Sequence, residues 1–342
     1  MKENKGITIG TSFSPEELEH KGLSYFQAVE ALEIVHKEFG IKDIRLGIRW
    51  NKAVEEDGDV DLEYYKPFLD YCLTHDVRLT LNVGPIKTFR WPEDHVPKFI
   101  LNKLKQVPRK GSSVDLNDEL AEPALHYLEE LLNELKATYS EKELENIVMI
   151  QPENEAFNSF GVHKWTMSNE YMKQLVHVIW EFFLGIRILL SSSGCLDIPQ
   201  CLSVASGKYE EHFGLFAFGV NYYYKTPFNQ SLPFLNWYDD IWRSRLNGFS
   251  CKKNKQLAEA YGYKIEVTEA QLEGWGPKIK GPGRSVKEFK KMMRRIEKHI
   301  LPKEGGLVRV WGIENFARDL INKNITPEQI SLIKEMRDCN YD

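Results

Sequence analysis

The chain lacks the spacings that mark metal, nucleotide or serine-nucleophile chemistry. Its nine histidines never fall as HxH or HExxH, so the common zinc and two-metal signatures are missing. No GxGxxG loop, and no GxxxxGK followed by Ser or Thr, is present to cradle a phosphate. No GxSxG elbow raises a serine nucleophile. Neither a metal nor an organic cofactor is expected. The five cysteines, Cys72, Cys195, Cys201, Cys251 and Cys339, are odd in number and contain no CxxC. That pattern argues against zinc ribbons and thioredoxin chemistry, and reduced intracellular thiols are the expectation. The opening MKENKGITIG has no signal-peptide apolar core, and no run of about 18 apolar residues occurs anywhere. The chain therefore reads as cytoplasmic, with no membrane partner. Its net charge is −5 with the basic residues dispersed, so nucleic acid is not an expected partner either.

What is present is length, aromatics and a regular alternation. A chain of 342 residues is long for an ordinary domain but normal for a (β/α)8 barrel with extended loops. Aromatic residues make up 12%, a content that suits flat, partly apolar ligands such as sugars. Short apolar runs alternate with longer amphipathic ones. Strands are expected at 7–11, 43–50, 77–83, 146–151, 187–191, 215–222, 263–268 and 307–311. Helices are expected at 25–39, 62–75, 120–138, 169–183, 286–299 and 327–337, with Gly40 closing the first and Thr326 capping the last. Eight strands, each followed by helical material, favour a closed TIM barrel over an open doubly wound sheet. No internal repeat or low-complexity linker divides 1–342, which reads as one catalytic domain. The stretch from Gly84 to about Asn117 shows no period and is expected to be an irregular functional loop or lid.

The fourth expected strand ends in Gln151-Pro-Glu-Asn-Glu155. Chemistry in a parallel barrel collects at the carboxyl ends of the strands. Glu153 and Glu155 share strand parity, so alternation does not separate them. Asn154 supplies an amide that could hold a sugar hydroxyl beside a reacting carbon. The seventh strand, YKIEVTEAQLEGWG, offers Glu266, Glu269 and Glu273. Glu269 lies at the strand end, with Thr268 beside it to orient the carboxylate. Glu266 sits at opposite parity and is expected to pair with a surrounding helix, and Glu273 to be solvated. Carboxylates at the ends of strands 4 and 7 could face one another across the barrel mouth. Such a pair cleaves a glycosidic bond, with retention at a separation of ~5–5.5 Å and inversion at ~6.5–9.5 Å. Paired carboxylates also push their pKa values apart, which divides acid from base.

These motifs, with RLGIRW at 45–50, resemble the retaining β-glycosidases of the (β/α)8 superfamily, glycoside hydrolase clan A. FGVNYYYK at 218–225 and VWGIENF at 310–316 are similar to the GxNYY and WSxxDNF stretches of family 1. The resemblance implies Glu155 as acid/base, Glu269 as nucleophile and Asn154 on the sugar hydroxyl next to the anomeric carbon. It also implies Arg45 and Tyr223 as hydrogen-bond donors to the nucleophile, Trp311 as a wall under the sugar, and Asn221 lining the pocket. The substrate it implies is a β-linked oligosaccharide or glycoside.

The chain departs from family 1 in three places. VGPIKTFRWPE replaces the His-Trp pair after strand 3, no Glu-Trp pair follows strand 8, and GTSFSPE replaces a first-strand Gln. Family 1 substrate preference is therefore not inherited, and a cellulase-like or β-galactosidase-like relative fits as well. Trp91 and Trp275, in long loops, could stack on sugar faces. Trp50 and His163 are expected to pack, and Lys87 and Arg90 to be solvated. Other readings are a transglycosidase using the same residues, a non-catalytic sugar-binding barrel, and a metal-dependent barrel hydrolase.

Overall fold

The structure is a computed structural model that describes residues 6–55, 58–90, 92–194, 197–206, 214–224, 251–252, 255–256, 263–274 and 281–339. Eight strands form the central sheet: β1 (Ile7–Phe13), β2 (Asp43–Gly47), β3 (Arg78–Asn82), β4 (Ile147–Gln151), β5 (Arg187–Ser193), β6 (Phe216–Tyr222), β7 (Lys264–Gln271) and β8 (Gly306–Trp311). They close into a barrel in chain order, with β8 returning to β1. The β1–β8, β8–β7, β3–β4 and β4–β5 ladders are parallel. This is the (β/α)8 barrel that the alternation of elements predicts. All five residues of β2 are buried, and so are the last seven of β7, as strands covered on both faces require.

The chain divides into two compact units, one of residues 1–44, 194–196 and 219–342, the other of 45–193 and 197–218. In the first, β1 and β8 run in register from Ile7 opposite Gly306 to Ser12 opposite Trp311. β8 and β7 do not stay in step. Val308 faces Val267 and Val310 faces Ala270, so Thr268 and Glu269 together stand opposite Arg309 alone. This is a β-bulge, which re-aims the side chains beyond it.

The bulge overturns the parity argument that set Glu266 apart from Glu269. Glu266 does not pair with a surrounding helix. Its Oε1 lies 3.2 Å from NH1 of buried Arg309, whose Nε donates to Asp43 Oδ1 at 2.8 Å. The three groups lie on β7, β8 and β2. Gly10 leaves room for them, since a Cβ there would come within 3.0 Å of Asp43 Oδ1 and 3.1 Å of Arg309 Cγ.

Local signals fix the helices. The helix Tyr25–Glu33 opens with a capping box between Ser24 and Gln27. It continues as a π-turn over Ile34–Glu38 and stops at Gly40, whose φ of 72° only glycine adopts freely. Ser168 and Ser285 cap the helices Asn169–Phe182 and Val286–His299. Thr326 caps Pro327–Cys339 by accepting from Gln329 N at 3.2 Å.

In the second unit the 84–117 stretch is not structureless. It holds a short helix, Lys98–Lys103, and a two-residue strand, Ser113–Val114, paired with Thr166–Met167. Cys72 and Cys201 are free thiols. Cys251 is disulfide-bonded, so the expectation of reduced thiols fails there, the chain having folded a second sulfur within bonding reach. Among the described residues no helix is long and apolar enough to cross a membrane.

Candidate functional site

β4 is the source of the first carboxylate. Its last residue, Gln151, is buried and accepts from Arg45 Nε on β2 at 2.7 Å. The other face of the same guanidinium donates from NH2 to Asn154 Oδ1, also at 2.7 Å. Phe89 stacks under it, with the guanidinium carbon 4.3 Å from the ring centroid. An arginine only donates, so this contact fixes which end of the Asn154 amide is oxygen. The Ser191 hydroxyl, 3.3 Å away, gives that oxygen a second donor, which leaves the amide NH2 as the group turned elsewhere.

Two residues separate the roles of Glu153 and Glu155. Glu153 is buried, and its carboxylate accepts from the backbone N–H of Ile86 at 3.2 Å and of Lys87 at 2.6 Å. Burial pushes it up to about 8, against the pull of those two N–H groups and the Lys87 ammonium. A Cβ on Gly84 would meet its Oε2 at 2.5 Å, so glycine there is a matter of space.

Glu155 follows in the left-handed region, with φ at 43°. Its N–H donates to Ser191 Oγ at 2.8 Å, and its Oε2 accepts from Asn158 Nδ2 at 2.7 Å. Lys87 is not solvated as expected. It is fully buried, and its Nζ donates to the main-chain carbonyls of Glu155, Asn158 and Trp165 at 3.2, 2.8 and 3.4 Å. Arg90 is buried as well. His163 stacks on Trp165 with centroids 4.1 Å apart and donates its backbone N–H to Asp94 Oδ2 at 2.7 Å. Trp50, expected to pack, stacks on Tyr127 at 5.1 Å.

β7 is the source of the second carboxylate. Glu269 is buried on the bulged turn of the strand, and its Oε2 accepts from the Tyr223 phenol at 2.5 Å. Trp311, at the end of β8, meets the Tyr223 ring edge-on with centroids 5.9 Å apart. Thr268 does not orient Glu269 through its hydroxyl as expected. That hydroxyl donates to Asn221 Oδ1 at 2.5 Å, tying β7 to β6. Glu273, expected to be solvated, is partly buried and bridged to Lys21 at 3.1 Å and to Asn315 Nδ2 at 2.5 Å. Trp91 and Trp275 lie outside the described residues.

Sequence reasoning missed Gln151, Ser191, Asn158 and the role of Lys87. Each acts through a contact that alternation and motif spacing do not encode.

No protein-family model and no curated protein matches the chain. Solved structures do. Among them are an exo-β-1,4-mannosidase from an Opitutaceae bacterium, at TM-score 0.57 and 13% identity over 97% of this chain and 59% of that one. An intracellular xylanase from Thermoanaerobacterium saccharolyticum matches at 0.52 and 13% over 90% and 86%. A monomeric β-xylosidase from Caulobacter crescentus matches at 0.57 and 13% over 89% and 59%. The chain thus spans 59% of the length of the mannosidase and of the xylosidase. At these identities the likeness is one of fold. All three are similar to the chain in fold; two carry the names of a β-mannosidase and a β-xylosidase and the third that of a xylanase.

Proposed function

We propose that the protein is a single-domain retaining β-glycoside hydrolase, with Glu155 as acid/base and Glu269 as nucleophile. The observation that carries this reading is the 2.5 Å hydrogen bond from Tyr223 to Glu269. A donor held that close fixes the direction of the carboxylate that must attack. Each carboxylate stands at the carboxyl end of its strand, β4 or β7, where chemistry in a parallel barrel collects.

In the proposed reaction Glu269 attacks the anomeric carbon of a β-glycoside. The glycosidic bond breaks as the Glu155 carboxyl gives its proton to the leaving oxygen. A covalent glycosyl-enzyme results. Glu155, now ionised, takes a proton from water; the water attacks the same carbon and Glu269 leaves, so configuration is retained. Asn154 has its oxygen held by Arg45 and would donate its NH2 to the neighbouring sugar hydroxyl, a bond that strengthens as charge develops. Trp311 would wall the sugar and Asn221 line the pocket, with Trp91 and Trp275 stacking on further sugar faces. The substrate is a β-linked oligosaccharide or glycoside, the class named for the mannosidase, xylanase and xylosidase of similar fold.

The test is Glu269→Gly against an activated aryl β-glycoside. A loss of roughly 10⁴-fold in kcat/KM is expected for a missing nucleophile. Added azide should restore turnover and yield the α-glycosyl azide, the inverted product. Full retention of activity, or an azide product of unchanged configuration, overturns the assignment.

A further inference from the structure

We propose that Lys87 and Asn158 form a clamp that positions the acid/base, Lys87 by holding the main chain of the Glu155 turn and Asn158 by passing that placement to the carboxylate. The inference rests on the reading of Glu155 as the acid/base.

A non-glycine residue with φ at 43° sits in a disfavoured region costing on the order of 1–2 kcal/mol, so surrounding contacts must over-determine it. Contacts reach it from β5, from its own turn and from the loop after β3. Ser191 on β5 takes the Glu155 N–H. Several come from one residue of the loop after β3. The main chain of Lys87 is bonded on both sides to the segment after β4: its N–H donates to the Glu153 carboxylate at 2.6 Å and its carbonyl accepts from Asn154 N at 2.9 Å. Its side chain then reaches past those residues to three further carbonyls, at Glu155, Asn158 and Trp165.

An ammonium has three protons, and here each meets a main-chain carbonyl. Burying such a charge is costly unless every proton is satisfied. The arrangement repays that cost only where all three carbonyls stay in place, so the buried cation resists any movement of the turn. The charges of Glu153, Asp94 and Asp197 act on the same ammonium through space.

Asn158 completes the device. Its N–H donates to the Glu155 carbonyl at 2.9 Å and closes the turn. Its carbonyl is the shortest of the three Lys87 contacts, at 2.8 Å. Its side-chain amide, at 2.7 Å, is a donor to the carboxylate Oε2 itself. A shift of Lys87 is therefore transmitted through one residue to the oxygen pair that must deliver a proton. Proton delivery is sensitive to such displacement, because it needs heavy atoms within about 3 Å of each other.

The readout that separates positioning from plain stability is leaving-group dependence. A dinitrophenyl leaving group departs without protonation, whereas a methyl leaving group needs it. Dinitrophenyl and methyl β-glycosides of xylose, glucose and mannose are assayed with the wild type, Lys87→Met, Asn158→Ala and Glu155→Ala, each checked for an intact melting transition. The clamp predicts that Lys87→Met loses about 10²-fold in kcat/KM on the methyl glycoside and under about 3-fold on the dinitrophenyl glycoside, and that Asn158→Ala loses about 10-fold on the methyl glycoside alone, both within the range for general acid catalysis. Equal losses on both substrates, or none, in either folded variant overturn the clamp. Should Lys87→Met not fold, Asn158→Ala decides alone. Glu155→Ala separates the two ideas. If it shows no leaving-group dependence the acid/base reading is wrong; if it shows the strongest dependence while the clamp variants show none, only the clamp is wrong.

Discussion

The two carboxylates are held by opposite means. Glu269 belongs to a strand of the sheet, where a bulge in β7 sets its direction and the Tyr223 phenol donates to it. Glu155 lies beyond the end of its strand on disfavoured backbone, and its place is fixed by contacts from the loop after β3, from β5 and from its own turn. A strand ladder supplies orientation through main-chain hydrogen bonds made for folding. An irregular turn has no ladder, so side chains must supply the same constraint one bond at a time. The difference follows the proposed chemistry. A nucleophile must stay aimed at one atom, which a rigid strand and a donor such as the phenol provide. An acid/base gives up and regains a proton in each turnover, and its surroundings must suit both forms.

The comparison predicts where damage spreads. On the β4 side the largest effect is expected from Asn154→Ala. The substitution removes the amide aimed away from Arg45 and leaves a buried guanidinium proton without its 2.7 Å acceptor. The loss in kcat/KM should be about 10²- to 10³-fold, the scale for one donor that tightens in the transition state. A loss under about 3-fold would sever Asn154 from the site. On the β7 side Tyr223→Phe removes one donor from a carboxylate that the strand still places. The expected loss is only about 10-fold in kcat/KM. An unchanged kcat/KM would mean that the phenol does not act on the nucleophile.

The same contrast governs what the sequence makes readable. The barrel is legible because its strands are buried on both faces and spell it in short apolar runs, as IVMIQ does in β4. The strand-end carboxylates are legible because a polar cluster after such a run breaks the pattern. The parity of Glu266 misleads because the bulge at Thr268 and Glu269 inserts a residue that alternation does not reveal. Thr268 misleads because its hydroxyl finds a partner on the neighbouring strand, Asn221. Lys87 is the instructive miss. Its partners are carbonyl oxygens 68, 71 and 78 residues further along the chain, and a carbonyl has no residue identity to recognise. A lysine in a loop therefore reads as solvated when nothing in the code shows that the loop is buried. Gly84 is equally silent, since the space it leaves is defined by the Glu153 oxygen facing it.

The smallest effect on activity, and the cleanest on stability, is expected from Glu153→Gln. Glu153 is surrounded by the backbone N–H groups of Ile86 and Lys87, the Lys87 ammonium, the Asp94 carboxylate and the hydroxyls of Tyr127 and Tyr171. Burial outweighs the donors and the cation, and raises its pKa from 4.5 to about 8. A carboxyl whose folded pKa lies above its unfolded value keeps a proton in the native state that the unfolded chain has already released. The native protein then loses stability as pH climbs from about 4.5 toward 8, and below that window the group contributes nothing. Glutamine can keep its one oxygen on the Lys87 N–H, giving up the longer bond from Ile86, and has no proton to lose. The melting temperature of Glu153→Gln minus that of the wild type should therefore grow between pH 5 and pH 8.5, by roughly 5–10 °C if a shift of this size is worth on the order of 4 kcal/mol. Activity at pH 6 should stay within about 3-fold, since the main-chain bonds that place Lys87 are preserved. A difference that stays flat across this range would show that Glu153 is ionised in its burial site. The ammonium of Lys87 would then be its counter-charge first and the clamp on the acid/base turn second.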